Sequence, residues 1–211
     1  MKVYPKDALI FDFDGVIADS IDFFKECYNR AAKESFIKQI SRQETKKILS
    51  ENPKRLLFPD EPLINKAFFF SNMIKEMQKN VEGIKLIEGM KGCIEYLFIE
   101  NELYISSKNL PKVINQFLIS HELIDYFSII YSLRLNKRSS FKKILLKHKK
   151  ENTLFITDTY NDIVNANRIG IDSIGCSWGI DSLSKLKQAK PFYIARSPKE
   201  LIKAVEIWKN R

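Results

Sequence analysis

Two aspartates separated by one residue follow the first apolar run of the chain. Asp12 and Asp14 come directly after residues 8–11, and Gly15 follows them. The run predicts a buried strand that ends near Asp12, and positions i and i+2 of a strand share a face. We therefore expect both carboxylates to converge at its carboxyl end. Two carboxylates placed together there need a cation or a shared proton, so the pair predicts metal binding and acid–base chemistry.

Polar residues also follow three later apolar runs. Ser106, Ser107 and Lys108 follow residues 103–105, and hydroxyl and backbone N–H groups at such a turn suit phosphate oxygens. A loop with Arg134, Asn136 and Lys137 follows residues 128–131. Asp158 follows residues 153–157, and Asp162 comes one helical turn later on the same helical face. Together with Asp12, this pair predicts an oxygen-rich site suited to Mg²⁺.

Each of these groups has a purely structural alternative. Asp12, Asp14 and Gly15 could form a turn, and serines commonly end strands. Lys137 alone could be a solvated lysine, whereas Asp158 and Asp162 could cap a helix and complement its dipole. Ligands of open parallel sheets bind beyond the carboxyl ends of the strands. The occurrence of all four groups at predicted strand ends therefore favours a single site.

The elements that must position these residues alternate between strands and helices. This alternation predicts an α/β fold with a doubly wound parallel sheet. Residues 20–82 break it, since they predict only helices, at 21–35, 41–50 and 61–79. We expect a core domain of residues 1–19 and 83–211 and an all-helical cap domain of residues 20–82, with hinges near 18–20 and 83–89. The predicted strands are 8–12, 103–106, 128–131, 153–157, 172–175 and 191–195, and the predicted core helices are 110–120, 139–149, 160–169 and 198–209.

Composition narrows the class of protein. The chain has 211 residues, 45% of them hydrophobic, and a formal net charge of +9. The lysines are spread along the chain, and the densest run, at 142–150, predicts a solvated helix face rather than a nucleic-acid patch. Three scattered cysteines indicate free thiols of a reducing cytosol. We found neither the apolar core of a signal peptide nor an apolar run of roughly 18 residues, so we expect a cytoplasmic protein without a membrane span.

The motifs together resemble the haloacid dehalogenase-like (HAD) hydrolase superfamily, in particular its phosphoglycolate-phosphatase-like phosphatases with a helical cap and a Rossmann-like core. The similarity spans nearly the whole chain except the cap, where only helical character matches. The matching stretches are residues 12–20, 103–108, Lys137, 155–163, 166–171 and 175–179.

This resemblance implies a role for each polar group. Asp12 would be the nucleophile that forms an aspartyl phosphate, and Asp14 would be the general acid and base. Ser106, the Ser107 amide and Lys137 would bind the phosphate. The cofactor would be Mg²⁺, and the following residues would hold it: Asp12, the Asp14 carbonyl oxygen, Asp158, and Asp162 as a ligand or an outer support.

Several departures and alternatives remain. Many relatives have Gly where this chain has Thr157, Pro where it has Arg138 and Thr where it has Ser106; Thr157 could crowd the metal loop. We expect a phosphatase for a small phosphorylated metabolite, present as a monomer or homodimer. The alternatives are a β-phosphoglucomutase-like phosphomutase, a non-catalytic binding module with the same fold and, favoured only by charge, a nucleic-acid-end phosphatase. His121 and His148 have no motif around them, so we expect them to be structural or exposed.

Overall fold

A six-stranded parallel sheet forms the centre of the molecule. The computed structural model describes residues 6–50, 62–133 and 137–211. Its strands are β1 Asp7–Phe11, β4 Asn101–Ser106, β5 Phe127–Tyr131, β6 Thr153–Thr157, β7 Asp172–Cys176 and β8 Tyr193–Ala195. The sheet order is β5-β4-β1-β6-β7-β8, and every neighbouring pair is parallel. Because the chain extends from β1 first to one side and then to the other, the carboxyl ends of β1, β4 and β6 meet where the direction reverses.

Helices flank this sheet, as the predicted doubly wound α/β class requires. Their apolar residues lie on one face, which packs onto the sheet; in the last helix the buried residues are Leu201, Ala204, Val205 and Trp208. The core helices are α4 Met90–Glu100, α5 Pro111–Ser120, α6 Arg138–Ile144, α7 Tyr160–Asn167, α8 Leu183–Gln188 and α9 Pro198–Lys209.

Three further helices follow the first strand, where the sequence predicted a helical insert. They are α1 Ile21–Glu34, α2 Arg42–Ser50 and α3 Leu63–Lys79, and the first packs against the third. Strands β2 Ala18–Asp19 and β3 Lys85–Leu86 pair antiparallel and join the two connections of this insert. The two segments expected to be hinges are therefore hydrogen-bonded to each other. The division into domains at residues 20 and 82 stays a prediction.

The hydrophobic core is continuous from the sheet into the insert. Phe13 packs edge-on against Phe117 with 5.1 Å between ring centroids, and Tyr28 of α1 packs against Phe69 of α3 at 4.9 Å. All four rings belong to one buried cluster. The insert therefore shares its apolar interior with the sheet layer.

The structure differs from the sequence expectations in a few elements. Strand β1 ends at Phe11, one residue before Asp12, and the helix expected over 139–149 already ends at Ile144. Helices α4 and α8 were not predicted. His148 is buried and lies 2.9 Å from the Tyr104 hydroxyl, which confirms a structural role. Among the described helices, none combines the length and apolar character needed to cross a membrane.

Candidate active site

Asp12 lies directly beyond β1 and is buried. Its backbone N–H donates to Ile156 O at 2.8 Å, which continues the ladder to β6 by one bond. The backbone N–H of Phe13 donates to Asp12 Oδ1 at 2.8 Å, and Thr157 Oγ1 donates to Asp12 Oδ2 at 3.4 Å. Thr157 thus contacts Asp12 as a hydrogen-bond donor. Burial raises the pKa of Asp12, and the ammonium of Lys137 offsets part of that rise.

Lys137 lies between two carboxylates. Its Nζ forms ion pairs with Asp12 Oδ2 and, at 2.8 Å, with Asp162 Oδ2. The side chain is buried, which alone would lower its pKa, but the two carboxylates raise the pKa above the usual value. The ammonium is therefore charged at neutral pH, at the edge of the sheet where Asp12 follows β1.

Asp162 lies in the first turn of α7 and is also buried. Burial works to raise its pKa, but the ammonium groups of Lys137 and Lys108 lower it below the usual value. The sequence placed Asp162 among the metal ligands or their outer support. Its direct contact in the structure is the ion pair with Lys137, and its position among the ligands remains a prediction.

Asp14 is held by neutral donors. Ser20 Oγ donates to Oδ1 at 2.7 Å, and Asn109 Nδ2 lies 2.9 Å from Oδ1 and 3.2 Å from Oδ2. Ser107 Oγ is a weaker donor, at 3.5 Å from Oδ2. Burial raises the pKa of Asp14, although these donors and Lys137 work against the rise. Asp14 therefore has the surroundings of a carboxyl group that can hold and release a proton.

Two glycines allow Asp158 to approach the end of β1. Gly15 has φ of +74°, and a Cβ on either Gly15 or Gly179 would overlap the Asp158 carboxylate. Oδ2 accepts the N–H of Ile180 at 2.8 Å, whereas Oδ1 is buried and has no hydrogen-bond partner among the described groups. Burial and the neighbouring Asp12 raise the pKa of Asp158 well above its usual value.

These residues fit a divalent cation. Asp12, Asp158 and Asp162 are buried, and among the described residues Lys137 is the buried ammonium beside them. Three buried negative charges against this one buried positive charge leave a surplus of two when all are ionised. Such a surplus is costly in a buried site, and the unpartnered Oδ1 of Asp158 is a hard oxygen donor of the kind Mg²⁺ prefers. Within the described part of the chain, no three acidic, cysteine or histidine side chains form a ready-made metal cluster. A bound ion would therefore have to draw the carboxylates together.

The serines at the end of β4 differ from the prediction in detail. The Ser106 hydroxyl is fully buried and lies 2.6 Å from Ser140 Oγ, which itself donates to Lys137 O. The backbone N–H of Ser107 donates to Tyr131 O at 2.8 Å. The expectation that the Ser107 amide is available for phosphate is therefore wrong for this structure, because that amide continues the β4–β5 ladder. Its hydroxyl, which contacts Asp14 and accepts the Asn109 N–H, remains in the site.

Sequence reasoning missed several contributors. Asn109 and Ser140 carried no motif, and Ile180 contributes only a backbone group, so its side chain gave no signal. Ser20 and Gly179 lie within the stretches that match the family (residues 12–20 and 175–179), but no role was assigned to them. Of the loop expected after β5, Arg134 and Asn136 lie outside the described residues. Lys108 is described and lines the cleft beside Asp14.

A polar cluster joins the insert to the loop region next to Asp158. Ser50, the last residue of α2, donates through Oγ to Asp181 Oδ1 at 2.7 Å, and Lys185 Nζ lies 2.6 Å from the same hydroxyl. Asp181 Oδ2 accepts the N–H of Tyr160 at 2.7 Å, and Asn161 Nδ2 donates to Ser50 O at 2.9 Å. The insert is thereby hydrogen-bonded to the first turn of α7, the helix that carries Asp162.

A Rossmann-like sheet with an acidic cleft beyond its carboxyl ends and a helical layer over that cleft defines a class of capped α/β enzymes. The family model of haloacid dehalogenase-like hydrolases matches residues 9–176. The chain belongs to this family, which confirms the resemblance and the hydrolase class expected from the sequence.

Similar proteins cover the chain almost end to end. Phosphoglycolate phosphatase of Synechococcus elongatus is 21% identical over 208 residues, which cover 94% of this chain and 96% of that protein. The crystal structure of a predicted phosphatase from Clostridium acetobutylicum is 19% identical with a TM-score of 0.84, covering 97% of this chain and 100% of that one. A haloacid dehalogenase-like hydrolase from Streptococcus pneumoniae is 20% identical with a TM-score of 0.82, covering 95% of this chain and 98% of that one. The structural similarities show the same fold.

Proposed function

We propose that the protein is a magnesium-dependent phosphatase that hydrolyses a small phosphomonoester through an aspartyl phosphate on Asp12. The observation that carries this proposal is the contrast between two carboxyl groups of one cleft. Asp12 is paired with the ammonium of Lys137, whereas Asp14 is surrounded by neutral hydroxyl and amide donors. Environments that differ in this way are what a nucleophile and a general acid require.

In the first step, a carboxylate oxygen of Asp12 forms a bond to phosphorus while the bond to the leaving oxygen breaks. The proton of the Asp14 carboxyl passes to that leaving oxygen, and a positioned acid contributes typically about 10²–10⁴-fold. In the second step, Asp14 accepts a proton from water as the water oxygen bonds to phosphorus. The bond from phosphorus to Asp12 then breaks, which releases inorganic phosphate and restores both residues.

The other polar residues hold charge and position. Lys137 offsets the repulsion between the Asp12 carboxylate and the phosphate dianion. In the substrate complex, the hydroxyls of Ser106 and Ser107 would exchange their bonds to Ser140 and Asp14 for bonds to phosphate oxygens. Mg²⁺ would be held by Asp12, the Asp14 carbonyl oxygen and Asp158, with Asp162 as a ligand or support. When bound, the ion supplies positive charge beside the phosphate and the surplus carboxylates.

The curated relative supports phosphate-ester chemistry. This relative, the phosphoglycolate phosphatase of Synechococcus elongatus, is named for hydrolysis of a small phosphomonoester. The haloacid dehalogenase-like family model matches the segments that carry Asp12, Asp14, Ser106 and Asp158.

We further propose that residues 20–82 open and close over the cleft as a unit. The paired strands β2 and β3 form a narrow connection, and the Ser50–Asp181 contact joins the far side of the insert to the core. Closure would exclude water while the aspartyl phosphate forms. Lys54 and Arg55, considered from the sequence as contacts for the substrate, lie outside the described residues.

Phosphate release from p-nitrophenyl phosphate, an aryl phosphomonoester, tests the proposed activity; acetyl phosphate, an acyl phosphate, tests phosphoryl transfer to Asp12 alone. We expect turnover with Mg²⁺, loss of turnover with a chelator, and a much weaker metal response in Asp158→Asn than in the wild type. An unchanged metal titration in that variant would assign the ion to other residues. Conversion of a hexose phosphate into an isomer without phosphate release would identify a phosphomutase instead.

A further inference from the structure

An apolar cavity lies between the insert and the active-site cleft. Its volume is about 370 Å³, near the small end of the ~300–1,000 Å³ range of ligand pockets. Residues from all three insert helices form one wall, and the loop after β4 forms the other. The insert wall includes Phe24, Tyr28, Ile48, Phe70, Met73 and Ile74.

The cavity opens directly onto Asp14. Among the described residues that line it, Asp14 and Lys108 carry charge, and both lie on the core side. Asn109 connects Asp14 to Leu133. Its side-chain amide donates to Asp14, and its backbone carbonyl oxygen accepts the N–H of Leu133 at 3.0 Å. Leu133, also in the lining, has φ of +52°, a region a leucine rarely adopts.

The chemistry of the cleft determines what occupies this space. In the proposed reaction Asp14 protonates the leaving oxygen, so the carbon skeleton bonded to that oxygen extends away from the phosphate past Asp14. The cavity is the space beside Asp14, which forms part of its lining. Asp14, Asn109 and Lys108 form the polar mouth of the cavity, and the wall beyond them includes Phe24, Phe70 and Ile74. A leaving group that extends to this wall is favoured if it is apolar, because burying a charge there would be unfavourable.

We propose that the substrate is a phosphomonoester of an apolar, ring-bearing alcohol whose flat leaving group packs between the insert helices and the loop after β4. This inference rests on the proposed phosphatase activity. Aromatic and methionine side chains accommodate a flat apolar group well. Each methylene buried in the cavity should raise kcat/KM about fourfold, which corresponds to about 0.8 kcal/mol.

The test measures kcat/KM of the wild-type protein with Mg²⁺ for three candidate substrates: acetyl phosphate, phosphoglycolate and benzyl phosphate. We expect benzyl phosphate to exceed phosphoglycolate at least tenfold in kcat/KM. A kcat/KM for phosphoglycolate equal to or above that for benzyl phosphate would overturn the inference, while the turnover of these phosphomonoesters would leave the proposed function intact. Absence of turnover with all three, acetyl phosphate included, would overturn the proposed function itself.

Two neighbouring phenylalanines of α3 provide a matched pair of variants. Phe70 lines the cavity and is 46% exposed, whereas Phe68 is 53% exposed and is not part of the lining. We expect Phe70→Ala to lower the ratio of benzyl phosphate to acetyl phosphate turnover about tenfold. Phe68→Ala should leave that ratio unchanged. Equal ratios in the two variants, with both confirmed as folded by circular dichroism, would show that the cavity does not bind the leaving group.

Discussion

The ammonium of Lys137 is held by the carboxylates of Asp12 and Asp162, deep within the protein. Such a group has two consequences at once. It brings positive charge to the proposed nucleophile, and it compensates charges that would otherwise be buried alone. Loss of Lys137 is therefore expected to affect both catalysis and folding stability.

We predict that Lys137→Ala raises KM, lowers kcat and reduces the free energy of unfolding by about 3–5 kcal/mol, because two carboxylates lose their buried partner. Steady-state kinetics and urea unfolding measure the two effects. Lys142→Ala is the control, since Lys142 lies on α6, the helix that Lys137 directly precedes, but is exposed. Wild-type kinetics in Lys137→Ala would point to Lys108 as the cation that serves the phosphate.

Asn109 stabilises the ionised form of Asp14 by donating to both of its oxygens. Because this donor lowers the pKa of Asp14, we predict that Asn109→Ala raises that pKa and moves the alkaline limb of kcat/KM to higher pH. The charge of Lys137 acts on Asp14 in both proteins, so it does not produce the difference. The measurement is the pH profile with a poor leaving group.

The same profile with acetyl phosphate is the control for Asn109→Ala. Acetate leaves without protonation, so its alkaline limb should not move. Equal shifts for both substrates would mean that the titrating group is not the proton donor to the leaving oxygen.

At the scale of elements, the cluster around Ser50 connects α2 of the insert to α7 of the core. We predict that Ser50→Ala removes about 1 kcal/mol of stabilisation, because Asp181 and Lys185 both lose their contact with the hydroxyl. Hydrogen exchange in α2 and α1 should accelerate, while exchange in the sheet should stay unchanged.

Ser35→Ala is the matched control for this contact. Ser35 is a buried serine of the same insert, and its hydroxyl has no hydrogen-bond partner among the described groups. Its replacement should leave exchange in α2 unchanged. The same acceleration in both variants would show that the insert responds to any lost hydroxyl, and that Ser50 does not join the two layers.

Local signals made most elements predictable. Strand β6 and helix α9 begin and end where predicted. In β6, three apolar residues lie between Thr153 and Thr157, and in α9 Ser197 caps the helix by accepting the Glu200 N–H. Helix α4 was missed although Met90, Cys93, Ile94 and Leu97 have helical spacing. This helix ends at Glu100 and β4 begins at Asn101, so no loop separates the two elements and the boundary was not visible.

Some residues of the site could be predicted from the sequence, and others could not. The carboxylates and Lys137 follow apolar runs, and the sheet brings them together as expected. The positions of Asn109, Ser140 and the Ile180 N–H depend on how separate loops meet, which no spacing encodes. The use of the Ser107 amide depends on the β4–β5 pairing, whose register shifts between Leu103 and Tyr104.

At the scale of the whole molecule, one buried cluster extends from the sheet to the insert and includes all three cysteines. Burial raises the pKa of Cys27 and of Cys93 to about 12 and that of Cys176 well above its usual value. Since the thiolate is the reactive form, we predict that a thiol reagent at pH 8 modifies none of them rapidly in the folded protein. Denaturation should expose all three, and fast modification of Cys27 alone would show that the insert opens independently.

The central claim, a covalent intermediate on Asp12, is tested most directly by trapping it. Acetyl phosphate that is radiolabelled on phosphorus is mixed with the Mg²⁺-loaded protein, and the reaction is quenched in acid within one turnover. We expect the label on the peptide that contains Asp12. Asp12→Asn, which keeps the shape but lacks the nucleophilic carboxylate, should show neither label nor more than a few per cent of wild-type turnover. Turnover in the wild type without label on that peptide, or substantial activity of Asp12→Asn, would contradict the account.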